Sequence, residues 1–166
     1  REGNTERMLA GAEVHREIPV HDAYKGIHRQ RQIEIAVQLF EAMGIERDDK
    51  ERRQDWVLRG FRQFDAPVSI VLTYDKSLEP ATISHFDLGA IVYGLTLAAW
   101  TRGLGTVING QGIMQSDVVR EHAKIPDWQT IMTCVAMGYP NEDFSANKVK
   151  SRRTPNEEII SYVGFD

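Results

Sequence analysis

The residues of this 166-residue chain whose types and spacing could do chemistry lie mostly in its second half. Asn109-Gly110-Gln111-Gly112 is a polar, glycine-bearing stretch directly after the apolar run Thr106-Val107-Ile108. Such backbone at the end of a buried strand can offer main-chain N–H groups to a flat ligand. An ordinary turn reads the same way. Lys148-Val-Lys150-Ser151-Arg152-Arg153 is the densest basic cluster. Two apart in an extended segment, Lys150 and Arg152 point the same way and could clamp one phosphate. A solvated charge run is the simpler alternative. The single cysteine, Cys134, sits in the apolar run Ile131–Met137 and reads as a small core residue rather than a nucleophile. His15, His21, His28, His85 and His122 are scattered without metal spacing, and neither HExxH nor CxxC occurs. Gly103-Leu-Gly105 with Gly110 precedes its strand, whereas a dinucleotide-binding turn follows one, so that reading is rejected.

The elements that must position these residues centre on Ser84–Gly112. From Phe86 to Trp100 apolar residues occupy nearly every helical face, which predicts a core helix with Ser84 as its N-cap and Trp100 in the core. Gly89 and Gly94 cost helix propensity and suggest close approach of another backbone. Gly103 ends the helix, and Thr106–Asn109 is expected as a strand. Residues 1–26 read as a loose helix followed by loop. Helical spacing of Ile33, Ala36, Leu39, Phe40 and Met43, stopped by Gly44, predicts a helix from Ile27, its charged positions forming a solvated face. A second amphipathic helix runs from about Asp48 to Arg62. Val68–Thr73 and Gln129–Met137 read as buried strands, Asp117–Ala123 as a short helix capped by Ser116, and Glu157–Phe165 as a final extended segment.

Composition narrows the class. A chain 42% hydrophobic and 27% charged suits one domain with a real core. The net charge of −4 gives no electrostatic reason to expect nucleic acid or an anionic membrane as partner. No segment reads as long and apolar enough to span a bilayer, since Asp87 interrupts the Ser84–Trp100 helix. One cysteine cannot form an internal disulfide, which fits a reducing, cytoplasmic setting. The start, REGNTERMLAG, has no hydrophobic signal core and no initiating Met, so the chain is expected to begin inside a longer gene product.

Phe64-Asp-Ala-Pro67, Leu97-Ala-Ala-Trp-Thr-Arg-Gly-Leu-Gly-Thr106, Ile125-Pro126, Met137-Gly-Tyr-Pro140 and Lys150-Ser-Arg152 occur in an order that resembles the FMN-dependent nitroreductases. The resemblance covers roughly Tyr24 to the C-terminus. It implies an α+β flavoprotein, a mixed sheet flanked by helices, working as an intertwined homodimer with FMN at the subunit interface. On that basis residues 1–166 form a single nitroreductase-like domain, 27–62 a helical lid region, and 155–166 a tail exchanged with the partner subunit. The resemblance places Lys150 and Arg152 at the FMN phosphate with Arg153 assisting. It places Ile108, Asn109, Gly110 and Gln111 beside the flavin ring near N5, where backbone N–H groups stabilise negative charge and Asn109 or Gln111 could bond the ring edge. The implied activity is ping-pong hydride transfer from NAD(P)H through flavin N5 to a small nitroaromatic or quinone acceptor, with no side-chain catalyst assigned. Another flavin-dependent branch of the superfamily (a reductive dehalogenase or flavin-cleaving enzyme) and a non-catalytic dimerising module are the alternatives. The family's N-terminal Arg/Ser-rich and Pro-Ser-x-x-Asn-type segments do not occur in these residues, so the chain is expected to lack that part of the FMN site.

Overall fold

The computed structural model describes residues 1–19 and 23–165; Val20, His21, Asp22 and Asp166 lie outside the described residues. In chain order the elements are α1 (Glu2–Leu9), α2 (Gly26–Ala42), α3 (Lys50–Phe61), β1 (Val68–Asp75), α4 (Ile83–Trp100), β2 (Gly105–Ile108), α5 (Ser116–Ala123), β3 (Gln129–Gly138) and α6 (Asn156–Ile159). They fall into two compact units. The first comprises Arg1–Asp22 and Arg47–Asn141, the second Ala23–Glu46 and Glu142–Asp166.

The first unit is built on an antiparallel sheet of order β1-β3-β2. β3 is its central strand, and its Ile131, Cys134 and Val135 are wholly buried. Pairing runs from Val68 opposite Met137 to Asp75 opposite Gln129, but it slips between Leu72 and Thr73, leaving Met132 without an opposite residue. That bulge reverses the side-chain alternation below it. Ile131 and Cys134, three apart, therefore share one face of the sheet, where they pack with Ile113, Val71, Val119 and Ile125. Val135 and Leu72 point to the other face and meet Val92, Leu88 and Leu95 of α4.

α4 corrects the sequence reading. One stripe of it packs on the sheet, but Phe86, Tyr93 and Trp100 are 73%, 64% and 76% exposed in this chain, so Trp100 is not a core residue. Among the described residues nothing outside the helix's own backbone lies within 4 Å of where a Cβ would stand on Gly89 or Gly94, so the close approach expected there is not made by them. Ser84 is not the cap either. Thr82 holds that position, and the Ser84 hydroxyl donates to the Ala81 carbonyl at 2.9 Å. With 18 residues and a mean hydropathy of 1.2, α4 also has the length and composition of a membrane-crossing helix, which the sequence reading denied it on account of Asp87. One carboxylate does not pull an 18-residue average out of that range. A helix covering a sheet in an α+β domain has the same composition, and the stripe on β1 and β3 is of that kind.

Elsewhere the expected helices form, with ends displaced by a residue or two. Asp49 caps α3 by accepting from the Arg52 amide at 3.0 Å. Beyond α3, Gln63, Phe64 and Asp65 all take left-handed backbone, with φ between 55° and 57°, a strained turn that directs Gln63 inward.

The second unit contains α2 and the C-terminal stretch. α2 ends at Gly44, whose φ of 60° is the left-handed stop expected of it. The tail departs from expectation: after Pro155 the chain makes one helical turn, closed by the Ile160 amide on the Asn156 carbonyl at 2.8 Å, before it extends.

Candidate functional site

In the first unit the loop after β2 is held from below by side chains. The Asn109 amide donates to the Cys134 carbonyl at 2.8 Å, and the Cys134 thiol donates back to the Asn109 carbonyl at 2.9 Å. Both ends of the Asn109 side chain are engaged as well. Its Nδ2 donates to the Gly60 carbonyl at 2.7 Å, and its Oδ1 accepts from the Gln111 amide at 3.0 Å. Asn4 Nδ2 donates to the carbonyls of Phe61 and Gln111, and Gln111 Nε2 reaches the Val57 carbonyl at 3.4 Å. Carbonyls near the C-terminal end of α3 thus accept from donors on this loop and on α1.

Two glycines make this packing possible. A Cβ on Gly60 would stand 1.8 Å from Gln111 Oε1, and one on Gly112 would stand 2.6 Å from Cys134 Sγ. Above this base the loop is open: Ile108 and Gly110 are exposed, while Asn109 is only 4% exposed. No residue among those described accepts a hydrogen bond from the Gly110 amide. Asn109, a candidate for the ring edge by resemblance, spends its side chain on holding the loop. The Gly110 N–H, on an exposed residue, is a donor left without a partner among the described residues. Cys134 is screened from solvent, and burial pushes its thiol up to about 11, so it is a neutral thiol at neutral pH.

Sequence reasoning missed Arg16. Its Nη2 donates to the Gly110 carbonyl at 3.1 Å. Its Nε is buried without a hydrogen-bond partner among the described residues, as are Gln63 Oε1 and Thr5 Oγ1. His15, beside it, bridges to Gln115 by amide and carbonyl bonds of 2.8 and 2.9 Å to Met114 and Ser116. Glu17, on its other side, pairs with Arg120 at 2.6 Å and accepts from the Ile131 amide at 2.7 Å. No local pattern marks Arg16, since its partner lies 94 residues away.

The second unit carries the basic residues. Lys150, Arg152 and Arg153 are exposed, on backbone without regular structure. Arg152 and Arg153 line a groove of about 540 Å³ together with Arg31 of α2, while Lys150 is not among its lining residues. Ile27, Ile35 and Pro155 supply apolar wall, and Glu34 and Glu158 line the groove too as counter-charges. Arg31 Nη2 donates to Thr154 Oγ1 at 3.3 Å. The solvated charges expected on α2 therefore include a groove residue. Ile27, Arg31 and Ile35 recur every fourth residue, and that spacing was the available signal.

With this geometry in place, the chain can be assigned to a class: it belongs to the nitroreductase family, whose pattern matches residues 6–139. Among individual relatives, it is 32% identical over 145 residues to a chloronitrobenzene nitroreductase of Comamonas testosteroni and equally so to a nitrobenzene nitroreductase of Ectopseudomonas oleovorans. Each alignment takes in 87% of this chain and 61% of the relative, so the chain spans about three-fifths of their length. A crystal structure of an FMN- and NADPH-dependent nitroreductase from Sphigopyxis sp. strain HMH matches with a TM-score of 0.86. That match covers 99% of this chain and 74% of the other at 23% identity, a likeness of fold. The α+β nitroreductase fold expected from the sequence is the fold found, although the described strands pair antiparallel where a mixed sheet was expected.

Proposed function

We propose that the protein to which this chain belongs is an FMN-dependent oxidoreductase that takes hydride from NAD(P)H and passes electrons to nitroaromatic or quinone acceptors. The observation that carries this reading is the Ile108–Gln111 loop, whose Asn109 side chain is engaged from beneath and whose exposed Gly110 has an N–H with no acceptor among the described residues. A donor fixed in this way suits the edge of a ring on which negative charge develops. When bound, FMN supplies the hydride chemistry, as cofactors of this class do. The chain's own contribution is binding, orientation and charge. Ile108 and Gly110 offer an open surface, Asn109 and Gln111 brace it, and Lys150, Arg152 and Arg153 bind phosphate by charge-assisted hydrogen bonds. The nitroarene-reducing relatives support nitroaromatics as the acceptor class.

A homodimer belongs to the same reading. α4 leaves Phe86, Ile91, Tyr93, Leu97 and Trp100 uncovered, and the 155–166 tail exposes Ile159, Tyr162, Val163 and Phe165. Apolar surface of this extent on two separate elements calls for a partner. A second copy of the chain, exchanging tails, would cover both. Residues 27–62 would serve as the lid region, and a reducing, cytoplasmic compartment suits the lone free thiol of Cys134.

The test is an absorption spectrum of the purified full-length protein, followed by anaerobic NADPH or NADH and then nitrobenzene. The expected result is a flavin spectrum that bleaches with nicotinamide and returns with the nitroarene. Full-length protein that neither carries nor takes up FMN would overturn the reading.

A further inference from the structure

Arg16 is used neither by the core nor by the family resemblance, yet its guanidinium bonds the glycine loop directly. The segment carrying it is fixed on both sides. His15 is tied by two backbone bonds to the chain just past the glycine loop, and Glu17 is locked between Arg120 and the Ile131 amide. Between these anchors the guanidinium lies against Gly110. Nη2 donates to its carbonyl, and Nη1 and Nη2 stand 3.9 and 3.7 Å from where a Cβ would be. Glycine at 110 therefore leaves room for the cation to rest on the backbone at ordinary contact distance. Nε–H is buried with no acceptor among the described residues, so the hydrogen bonds of this chain do not exhaust what Arg16 can donate.

We propose that Arg16 is a positioning residue for the cofactor loop. It fixes the Gly110–Gln111 peptide through the Gly110 carbonyl and holds a permanent positive charge beside the loop. This inference rests on the flavin reading above. Hydride acceptance brings two electrons and one proton to the ring and leaves it more negative than before. A fixed cation beside the Gly110 backbone favours that change and so raises the reduction potential. Arginine is suited to this because it stays protonated at any working pH and its planar fork can bond a carbonyl while keeping further donors free.

The test is the midpoint potential of the bound flavin, with flavin content and thermal midpoint as controls, in wild type, Arg16→Gln and Arg16→Lys. Glutamine keeps a hydrogen-bond donor and loses the charge; lysine keeps the charge. The expected result is a more negative potential and a roughly tenfold slower reduction by NADPH in Arg16→Gln, with Arg16→Lys close to wild type. Arg16→Gln that holds flavin at the wild-type potential overturns the inference, even if flavin binding or stability falls. So does Arg16→Lys shifted as far as Arg16→Gln. If Arg16→Gln does not fold, Arg16→Lys decides alone: a wild-type potential supports the charge, and a clear negative shift overturns it. Wild-type protein without flavin sinks this inference and the functional reading together, a different result from flavin bound at an Arg16-independent potential.

Discussion

The glycine loop of the first unit and the arginine groove of the second are both proposed to bind cofactor, yet they are built in opposite ways. In the loop, polar side chains are buried and each is engaged with a carbonyl or amide far away in sequence. Asn109 reaches α3, and Asn4 reaches both α3 and the loop. In the groove, Arg31, Arg152 and Arg153 stand exposed, and the side chains of Arg31 and Arg153 donate only to hydroxyls, those of Thr154 and Ser151, among the described residues. A site that must present backbone N–H groups needs its backbone fixed, so binding geometry and stability become one property. A site that presents charge needs only the right side chains within reach. Substitutions in the first region should therefore cost stability, and substitutions in the second should cost affinity alone.

The largest effect is expected from Arg120→Ala. Arg120 donates to Glu17 and also to the carbonyls of Ile125, Pro126 and Gln129, at 3.2, 2.6 and 2.7 Å. Glu17 and Arg120 are only 19% and 18% exposed, so removing the cation leaves a largely buried carboxylate unpaired. That should cost about 3–5 kcal/mol, a fall of about 10 °C or more in thermal midpoint. A thermal scan that moves by only a degree or two would mean the anchor beneath Arg16 is dispensable and the contrast between the two regions is false.

Asn109→Ala should come next. It strips the Gly60 carbonyl and the Gln111 amide of their partners in a buried setting, a loss of about 1–3 kcal/mol. Denaturant titration gives the magnitude, and hydrogen exchange at Gln111 gives the place. Faster exchange confined to the loop is expected, whereas unchanged exchange would show that the Asn109 side chain does not hold it.

Much of the first unit was legible in the sequence because its strands and helices carry their own periodicity. α3, β1, β2 and β3 lie within a residue or two of where apolar spacing and turn residues put them. The failures have one physical source, contacts between residues distant in the chain. Apolar positions all round α4 say that it needs cover, and they do not say whether this chain or another supplies it. Nothing near Met132 announces the bulge, which comes from pairing with β1 some sixty residues earlier. Asn109 is polar and follows a strand, so it reads as a group for a ligand, and only the Gly60 carbonyl 49 residues away turns it inward. The basic cluster at Lys150–Arg153 was plain in composition, but its companion Arg31 comes from a helix more than a hundred residues earlier.

The smallest effect on stability, and the sharpest separation of the two regions, is expected from Arg152→Gln combined with Arg153→Gln. Both side chains are exposed, and neither belongs to an ion pair among the described residues. Exposed substitutions of this kind move stability by within about 0.5 kcal/mol, so the thermal midpoint should hold. Flavin affinity is a separate quantity. If these residues face phosphate, the double variant should bind FMN at least tenfold more weakly, because charge-assisted hydrogen bonds to a dianion are lost, while riboflavin, which has no phosphate, should bind as it does to wild type. Added salt should narrow the difference between FMN and riboflavin for wild type and have little left to narrow in the variant. Equal losses for both ligands would mean that the arginines shape the groove rather than read the phosphate. An unchanged FMN affinity would return Arg152 and Arg153 to the solvated charge run that their composition alone allows.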